Sequence, residues 1–231
     1  MHGKGTNGVF TNMRDTFHQD LIEQRALLGE MCVKAATAMR DATKALLDVD
    51  LETAKRVRAL DEKLDGLRDQ CEERAHQMLA LQAPVASDLR IVLSSIYCAE
   101  KIERMGDLAE HIASTTCRTH PDPLVPEELR PVFAKLGEVC AGMADRLVEH
   151  VARPRAGAFA ELDEIDHEVD DLHAGVLREV TGPTWNHDVP TATGLALVAR
   201  FYERYADQAV SVAKRVEFVR TGETPVHPAA R

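Results

Sequence analysis

The chain of 231 residues is long enough for one large domain or two small ones, at roughly 150 residues per domain. Its 28 Lys and Arg against 38 Asp and Glu give a net charge of −10, which argues against nucleic-acid binding because a phosphate backbone requires concentrated positive charge. Aromatic residues make up only 4% of the chain, too few for most β-sandwiches and barrels, so the composition favours a soluble helical protein.

Six segments in which apolar residues recur at helical rather than alternating spacing follow one another along the chain. Proline, glycine or aspartate residues separate the segments, and proline at such points ends one helix or begins the next. Ser87 and Asp88 are available to cap the third segment. The predicted fold class is therefore all-α, with six helices. They are predicted at residues 15–47, 51–81, 87–116, 127–151, 159–180 and 191–220.

The last helix of each half of the chain carries a related sequence, which indicates an internal duplication. Residues 99–109 (AEKIERMGDLA) align without gaps to residues 199–209 (ARFYERYADQA), with identical residues at five positions. A second match in the same order relates LDEKLDGL at residues 60–67 to IDHEVDDL at residues 165–172. The two matches together predict two tandem, similar three-helix bundles.

The duplication and the proline-rich segment between its halves divide the chain into five parts. They are a flexible N-terminus at residues 1–12, a first repeat at 13–119, a linker at 120–126, a second repeat at 127–221 and a flexible tail at 222–231. The two ends are polar or marked by glycine and proline, as is typical of loosely held termini.

The five cysteines contain no CxxC pair, which argues against a disulfide framework or a zinc ribbon. Cys71 and Cys98 lie among apolar neighbours, so we predict small buried thiols in a reducing cytoplasm. No run of residues approaches the ~18 consecutive apolar positions of a transmembrane helix, and we expect no direct membrane insertion.

Paired carboxylates recur at equivalent positions of the two predicted repeats. Glu103 and Asp107 lie four residues apart in the third helix, and therefore on one face. Asp61 and Asp65 each follow an apolar core position of the second helix, so packing of these two helices would gather four carboxylates on an outer surface. Divalent cations supply the counter-charge that such a group requires. The corresponding acids of the second repeat are Glu203, Asp207, Asp166 and Asp170.

Several of these motifs resemble those of one protein family. ERMGD at residues 103–107 and ERYAD at residues 203–207 resemble the paired E(D)xxxD signature of the PhoU family. LQAPVASDLR at residues 81–90 resembles that family's approach to its third helix, and the repeated DxxL/VD pairs resemble its acidic second and fifth helices. The resemblance covers residues 17–219 and is greatest to actinobacterial members, although residues 188–194 depart from the pattern before the sixth helix.

The resemblance implies a cytoplasmic regulator of phosphate uptake and phosphate-starvation signalling. Members of the family act as negative regulators that link a phosphate ABC transporter, through its ATPase subunit, to a sensor histidine kinase. It further implies a homodimer, held near the inner face of the membrane through its partners, without catalytic activity. Iron, zinc, manganese and magnesium are the metal ions bound in the family. The implied metal sites are Glu103, Asp107, Asp61 and Asp65 in one repeat, and Glu203, Asp207, Asp166 and Asp170 in the other.

Three other interpretations of the acids remain open. They could be solubilising charges neutralised by arginines such as Arg104, or they could form a metal-free adaptor surface that binds a basic partner. A di-iron carboxylate enzyme requires Glu-x-x-His motifs that project into the core, and two such strings end at His76 and His167. His111, one turn beyond Asp107, is a candidate nitrogen ligand for a metal ion.

Overall fold

The computed structural model describes residues 7–226, with side chains from residue 15 onward. Within this part the fold has six α-helices, one short 3-10 helix and no β-strand, so the all-α prediction is confirmed. None of the described helices combines the length and hydrophobicity needed to cross a membrane. The helices are α1 (Asn7–Asp48), α2 (Leu51–Gln82), α3 (Ala86–Thr119), α4 (Arg130–Ala152), α5 (Ala158–Val180) and α6 (Val189–Thr221), with the 3-10 turn at Glu127–Leu129.

Five of the six helix starts differ from those predicted, and the differences matter most at α1 and α3. The first helix was predicted from Asp15, but α1 already begins at Asn7, so part of the predicted flexible N-terminus is helical. The proposed caps Ser87 and Asp88 lie inside the first turn of α3, because the chain turns earlier, at Val85, whose side chain makes no capping hydrogen bond. Side-chain caps occur instead at Asp50, which accepts from two backbone N–H groups of α2, and at Asp188 at the start of α6. The first six and last five residues of the predicted termini lie outside the described part.

Helices α1–α3 and α4–α6 form two three-helix bundles that pack against each other. The bundles meet where α1 packs along α4 and where α3 packs along α6, which leaves α2 and α5 on the outer sides. One apolar core runs through both bundles. α1 contributes several fully buried alanines to it, and small side chains allow neighbouring helices to approach closely.

Helices α3 and α6 run antiparallel, since Tyr97 contacts Arg215 whereas His111 contacts Phe201. The linker between the bundles is not an open spacer, because Leu124 is buried against Gly194 of α6.

All five cysteines are free thiols, as predicted. Four of them are buried, and Cys117 is exposed.

Candidate functional site

The packing of α2 along α3 brings the four predicted acids of the first repeat together. We call this group the first carboxylate groove, and it consists of Asp61, Asp65, Glu103 and Asp107. The charges of Asp107 and Asp65 act on Asp61, and Asp65 shares a side-chain hydrogen bond with Glu103. Asp61, Glu103 and Asp107 are partly buried between the two helices, whereas the Asp65 side chain remains 50% exposed.

Gly106 explains why the two helices approach so closely at this point. A Cβ atom placed on Gly106 would lie 2.5 Å from Leu64 Cδ1 and 3.1 Å from Asp61 Oδ1. The glycine therefore seats the buried Leu64 side chain and draws Asp61 towards the acids of α3. A larger residue at this position would push α2 away and widen the groove.

Burial and mutual repulsion disfavour the charged forms of two acids in this groove. Burial, followed by the charges of Asp107 and Asp65, raises the pKa of Asp61 to about 6. Burial, the charge of Asp107 and the hydrogen bond with Asp65 raise the pKa of Glu103 to about 7. Near neutral pH, Glu103 is therefore partly protonated, and a bound cation could replace this proton.

Arginines already supply part of the counter-charge to the first groove. Arg104 forms an ion pair with Asp107 one turn along α3. Arg68 lies 3.9 Å from Asp65, and it also reaches across to Glu100 of α3 at 3.6 Å. The sequence pattern did not single out Arg68 as a member of this site, although its position three residues after Asp65 places both on one helix face.

The packing of α5 along α6 forms the second carboxylate groove, which consists of Asp166, Asp170, Glu203 and Asp207. Burial and then the charges of Asp170, Asp207 and other nearby acids raise the pKa of Asp166 to about 7. Burial is also the largest cause of the raised pKa of Glu203 and of Asp207. The structure thus brings the predicted acids of the second repeat together as well, despite the altered sequence before α6.

Two oxygens of the second groove are buried without a hydrogen-bond partner. They are Oδ1 of Asp166 and Oε2 of Glu203, whose side chain is only 12% exposed. The other groups are balanced in part by Arg200, which pairs with Glu203, and by Arg204, which lies 3.7 Å from Asp207. A buried carboxylate oxygen without a partner is costly, so a proton or a cation is the chemistry that these atoms would accept.

The side chains of both grooves would have to rearrange to enclose a metal ion. In the described part of the chain, no group of three or more His, Cys, Asp or Glu side chains is arranged so that it could hold a metal. The donor atoms are carboxylate oxygens, which suit hard cations such as Mg²⁺ and Mn²⁺ better than soft ones. The residue types and the two unpartnered oxygens therefore fit a cation, whereas the arginine ion pairs compete with it.

The histidines that the sequence singled out lie in different environments. His111 lies close enough to Asp61 for its charge to favour the ionised carboxyl, but its Nδ1 lies 3.2 Å from Glu110 and its ring packs against Phe201. His76 and His167 have side chains that are 63% and 65% exposed. The di-iron interpretation requires histidines that project into the core, and these two do not.

Comparisons with known proteins identify relatives along nearly the whole chain. The family model of the PhoU domain matches residues 28–116 and 133–216. The chain is 42% identical over 213 residues to "Phosphate-specific transport system accessory protein PhoU homolog 2" of Mycobacterium tuberculosis, which covers 92% of this chain and 100% of the relative. It is 41% identical to "Phosphate-specific transport system accessory protein PhoU homolog 1" of Mycobacterium leprae, over 92% of this chain and 96% of the relative.

Solved structures share the fold. The crystal structure of PhoU from Pseudomonas aeruginosa superposes with a TM-score of 0.79 at 24% identity, covering 90% of this chain and 100% of that one. The phosphate transport system regulatory protein PhoU from Streptococcus pneumoniae gives a TM-score of 0.75 at 24% identity, over 93% and 99%. The two segments that match the family model fall within α1–α3 and α4–α6, one in each bundle. The chain therefore belongs to the PhoU family, as its repeated acidic motifs indicated.

Proposed function

We propose that this protein is an accessory component of a phosphate-specific transport system that restrains phosphate-starvation signalling by binding rather than by catalysis. Family membership and the names of the mycobacterial relatives support the transport role. The observation that carries the regulatory role is the presence of two equivalent carboxylate grooves, one in each bundle, with acids whose pKa values are raised. Such grooves can change charge when a cation or a partner binds. The proposed partners are the transporter ATPase subunit and a sensor histidine kinase, and the proposed assembly is a cytoplasmic homodimer.

We further propose that both carboxylate grooves bind metal ions, with iron, zinc, manganese and magnesium as candidates. Asp61, Asp65, Glu103 and Asp107 would hold the ions of the first groove, and Asp166, Asp170, Glu203 and Asp207 those of the second. A bound cation would neutralise the repulsion between the carboxylates. Arg104 and Arg204 would release their carboxylates on binding, so their guanidinium groups would become available to a partner protein. This exchange would couple metal occupancy to the charge of the outer surface.

Metal content measured on tag-free protein tests this proposal directly. The comparison is between the wild type and a quadruple variant, Glu103→Gln/Asp107→Asn/Glu203→Gln/Asp207→Asn, by mass spectrometry after loading and gel filtration. A matched control, Glu164→Gln/Asp171→Asn, removes two exposed acids from α5 outside the proposed ligand set. We expect bound metal in the wild type and the control, and a strong loss in the quadruple variant. Equal or negligible metal in wild type and quadruple variant would contradict the proposal.

A metal-free adaptor is the second candidate function. It is favoured by the arginines that already pair with Asp107, Glu203 and Asp207, which show that the acids can be balanced without a metal ion. This candidate predicts that partner binding survives a chelator and weakens steadily as salt is added, because exposed charges are screened. Partner binding that requires a metal ion would exclude it.

A further inference from the structure

The seam between α3 and α6 carries a cluster of cations and apolar side chains that the two carboxylate grooves do not use. We call it the seam patch, and its members are Leu93, Tyr97, Lys101, Arg215 and Phe218. The Arg215 guanidinium carbon lies 4.1 Å from the centroid of the Tyr97 ring and 5.5 Å from that of Phe218. The Lys101 ammonium lies 5.5 Å from the same Tyr97 centroid. Two cations are therefore held beside one aromatic ring.

Neither cation of the seam patch is neutralised by a carboxylate. In the part of the chain whose side chains the structure describes, Lys101 and Arg215 take part in cation–π contacts but in no ion pair. This contrasts with a protein whose net charge is −10. Four other arginines of the same two helices pair with an acid three residues away, whereas Arg90 and Arg118 of α3 do not. The four are Arg104, Arg200, Arg204 and Arg220. The seam patch is thus a local positive region on an acidic molecule.

The seam patch is present at only one end of the duplicated fold. The two repeats are related by an offset of one hundred residues along α3 and α6, and at this offset Glu103 and Asp107 match Glu203 and Asp207. The cations and the Tyr97 ring are not repeated, so the duplication does not account for them. The residues equivalent to Tyr97, Lys101, Arg215 and Phe218 are Leu197, Phe201, Thr115 and Arg118.

We propose that the seam patch docks an acidic segment of a partner protein. Carboxylates of that segment would lie on Lys101 and Arg215, which have no acid of their own. An apolar side chain of the segment would pack beside Tyr97 and against Leu93, which lies one turn before it on α3 and is 50% exposed. The inference goes beyond the proposed function and stands apart from it, because the docking is measured on the isolated protein.

Tyr97 allows this docking to be observed at the patch itself. The chain has three tyrosines, and the other two, Tyr202 and Tyr205, are fully buried in the core. Protein labelled with 3-fluorotyrosine should give three ¹⁹F resonances, and the variant Tyr97→Phe identifies the one from the patch. Titration with poly-L-glutamate at low salt should shift the Tyr97 resonance saturably and leave the two buried tyrosines in place.

Charge variants then test which residues bind. Lys101→Gln/Arg215→Gln should weaken poly-L-glutamate binding by about tenfold or more. Lys101→Gln alone keeps the Arg215–Tyr97 stack and should weaken poly-L-glutamate binding by about threefold. This single variant preserves the test if the double variant does not fold. The matched control Lys44→Gln/Arg178→Gln removes one exposed lysine and one exposed arginine that lie outside the seam patch and form no ion pair with any described side chain. It should bind poly-L-glutamate like the wild type.

Three results would overturn the inference. The Tyr97 resonance could fail to respond to poly-L-glutamate, or both Lys101 variants could bind it as tightly as the wild type. Phosphatidylglycerol vesicles or duplex DNA could also shift the resonance at lower concentrations than poly-L-glutamate does. That last outcome would assign the patch to a lipid surface or to nucleic acid instead of an acidic protein segment.

Discussion

Glu103 and Asp166 behave differently from ordinary surface acids because each lies in a groove beside other carboxylates. Their pKa values are raised to about 7, first by burial and then by the neighbouring charges. Each is therefore partly protonated at neutral pH, unlike an exposed Glu or Asp. A cation that entered the groove would compete with this proton, so the proposed metal binding would depend on pH at these two residues.

The raised pKa of Glu103 predicts a pH dependence of stability in metal-free protein. Between about pH 4.5 and about pH 7, the folded state keeps a proton that the unfolded state releases. The free energy of unfolding should therefore fall as the pH rises through this interval. Glu103→Gln has no such proton to lose, so at pH 8 it should be more stable than the wild type by on the order of 1 kcal/mol, because water screens part of the repulsion.

Urea unfolding in the presence of a chelator, at pH 5 and at pH 8, measures this effect. The control is Glu62→Gln, an exposed position of α2 next to Asp61 that lies outside the groove. It should follow the wild-type pH dependence. Parallel pH curves for wild type and Glu103→Gln would show that Glu103 is not destabilised in the folded state.

At the scale of the helices, the distance between α2 and α3 determines how strongly the acids of the first groove interact. Gly106 permits the close approach by accommodating Leu64, whereas the equivalent position of α6 is Ala206. The two grooves are therefore formed by equivalent helices with different local packing. Both grooves nevertheless bring their acids together. The proximity of the acids therefore does not require a glycine at the position of Gly106.

Two glycines of this helix pair offer a matched test of that packing. A Cβ atom at Gly106 would lie 2.5 Å from Leu64 Cδ1, whereas one at Gly66 would meet nothing within 4 Å. Alanine favours a helix interior over glycine, so Gly66→Ala should stabilise the protein by about 0.5–1 kcal/mol. Gly106→Ala should instead destabilise it, by about 1 kcal/mol net, since overpacking outweighs the helix propensity.

Chemical unfolding of both glycine variants at one pH makes the comparison. Gly106→Ala should also lower the pKa of Asp61, because the wider groove hydrates the carboxyl and separates it from Asp107. An increase in stability for Gly106→Ala equal to that for Gly66→Ala would mean that Leu64 moves aside freely and that Gly106 does not control the groove.

Much of the whole molecule could be predicted from its sequence because the deciding signals are local and repeated. Apolar spacing identified six helices, and the duplicated acidic motifs indicated that acids from α2 and α3, and from α5 and α6, would meet. The depth of the grooves could not be predicted, since it depends on a contact between Gly106 and Leu64 from different helices. For the same reason, the arginine partners and the unpartnered oxygens became visible only in three dimensions. The early start of α1 was missed because the glycines before residue 9 are typical of a loop, although Phe10, Met13 and Phe17 continue the helical spacing.

The two carboxylate grooves are the proposed working surfaces of this protein in phosphate signalling. The most direct test is the expression of phosphate-starvation genes at high phosphate in a strain whose only copy is the quadruple variant Glu103→Gln/Asp107→Asn/Glu203→Gln/Asp207→Asn. The variant must be shown to be folded and present at wild-type abundance, because destabilised proteins are degraded. We expect these genes to be expressed despite abundant phosphate. Full repression by the folded variant would contradict this proposal.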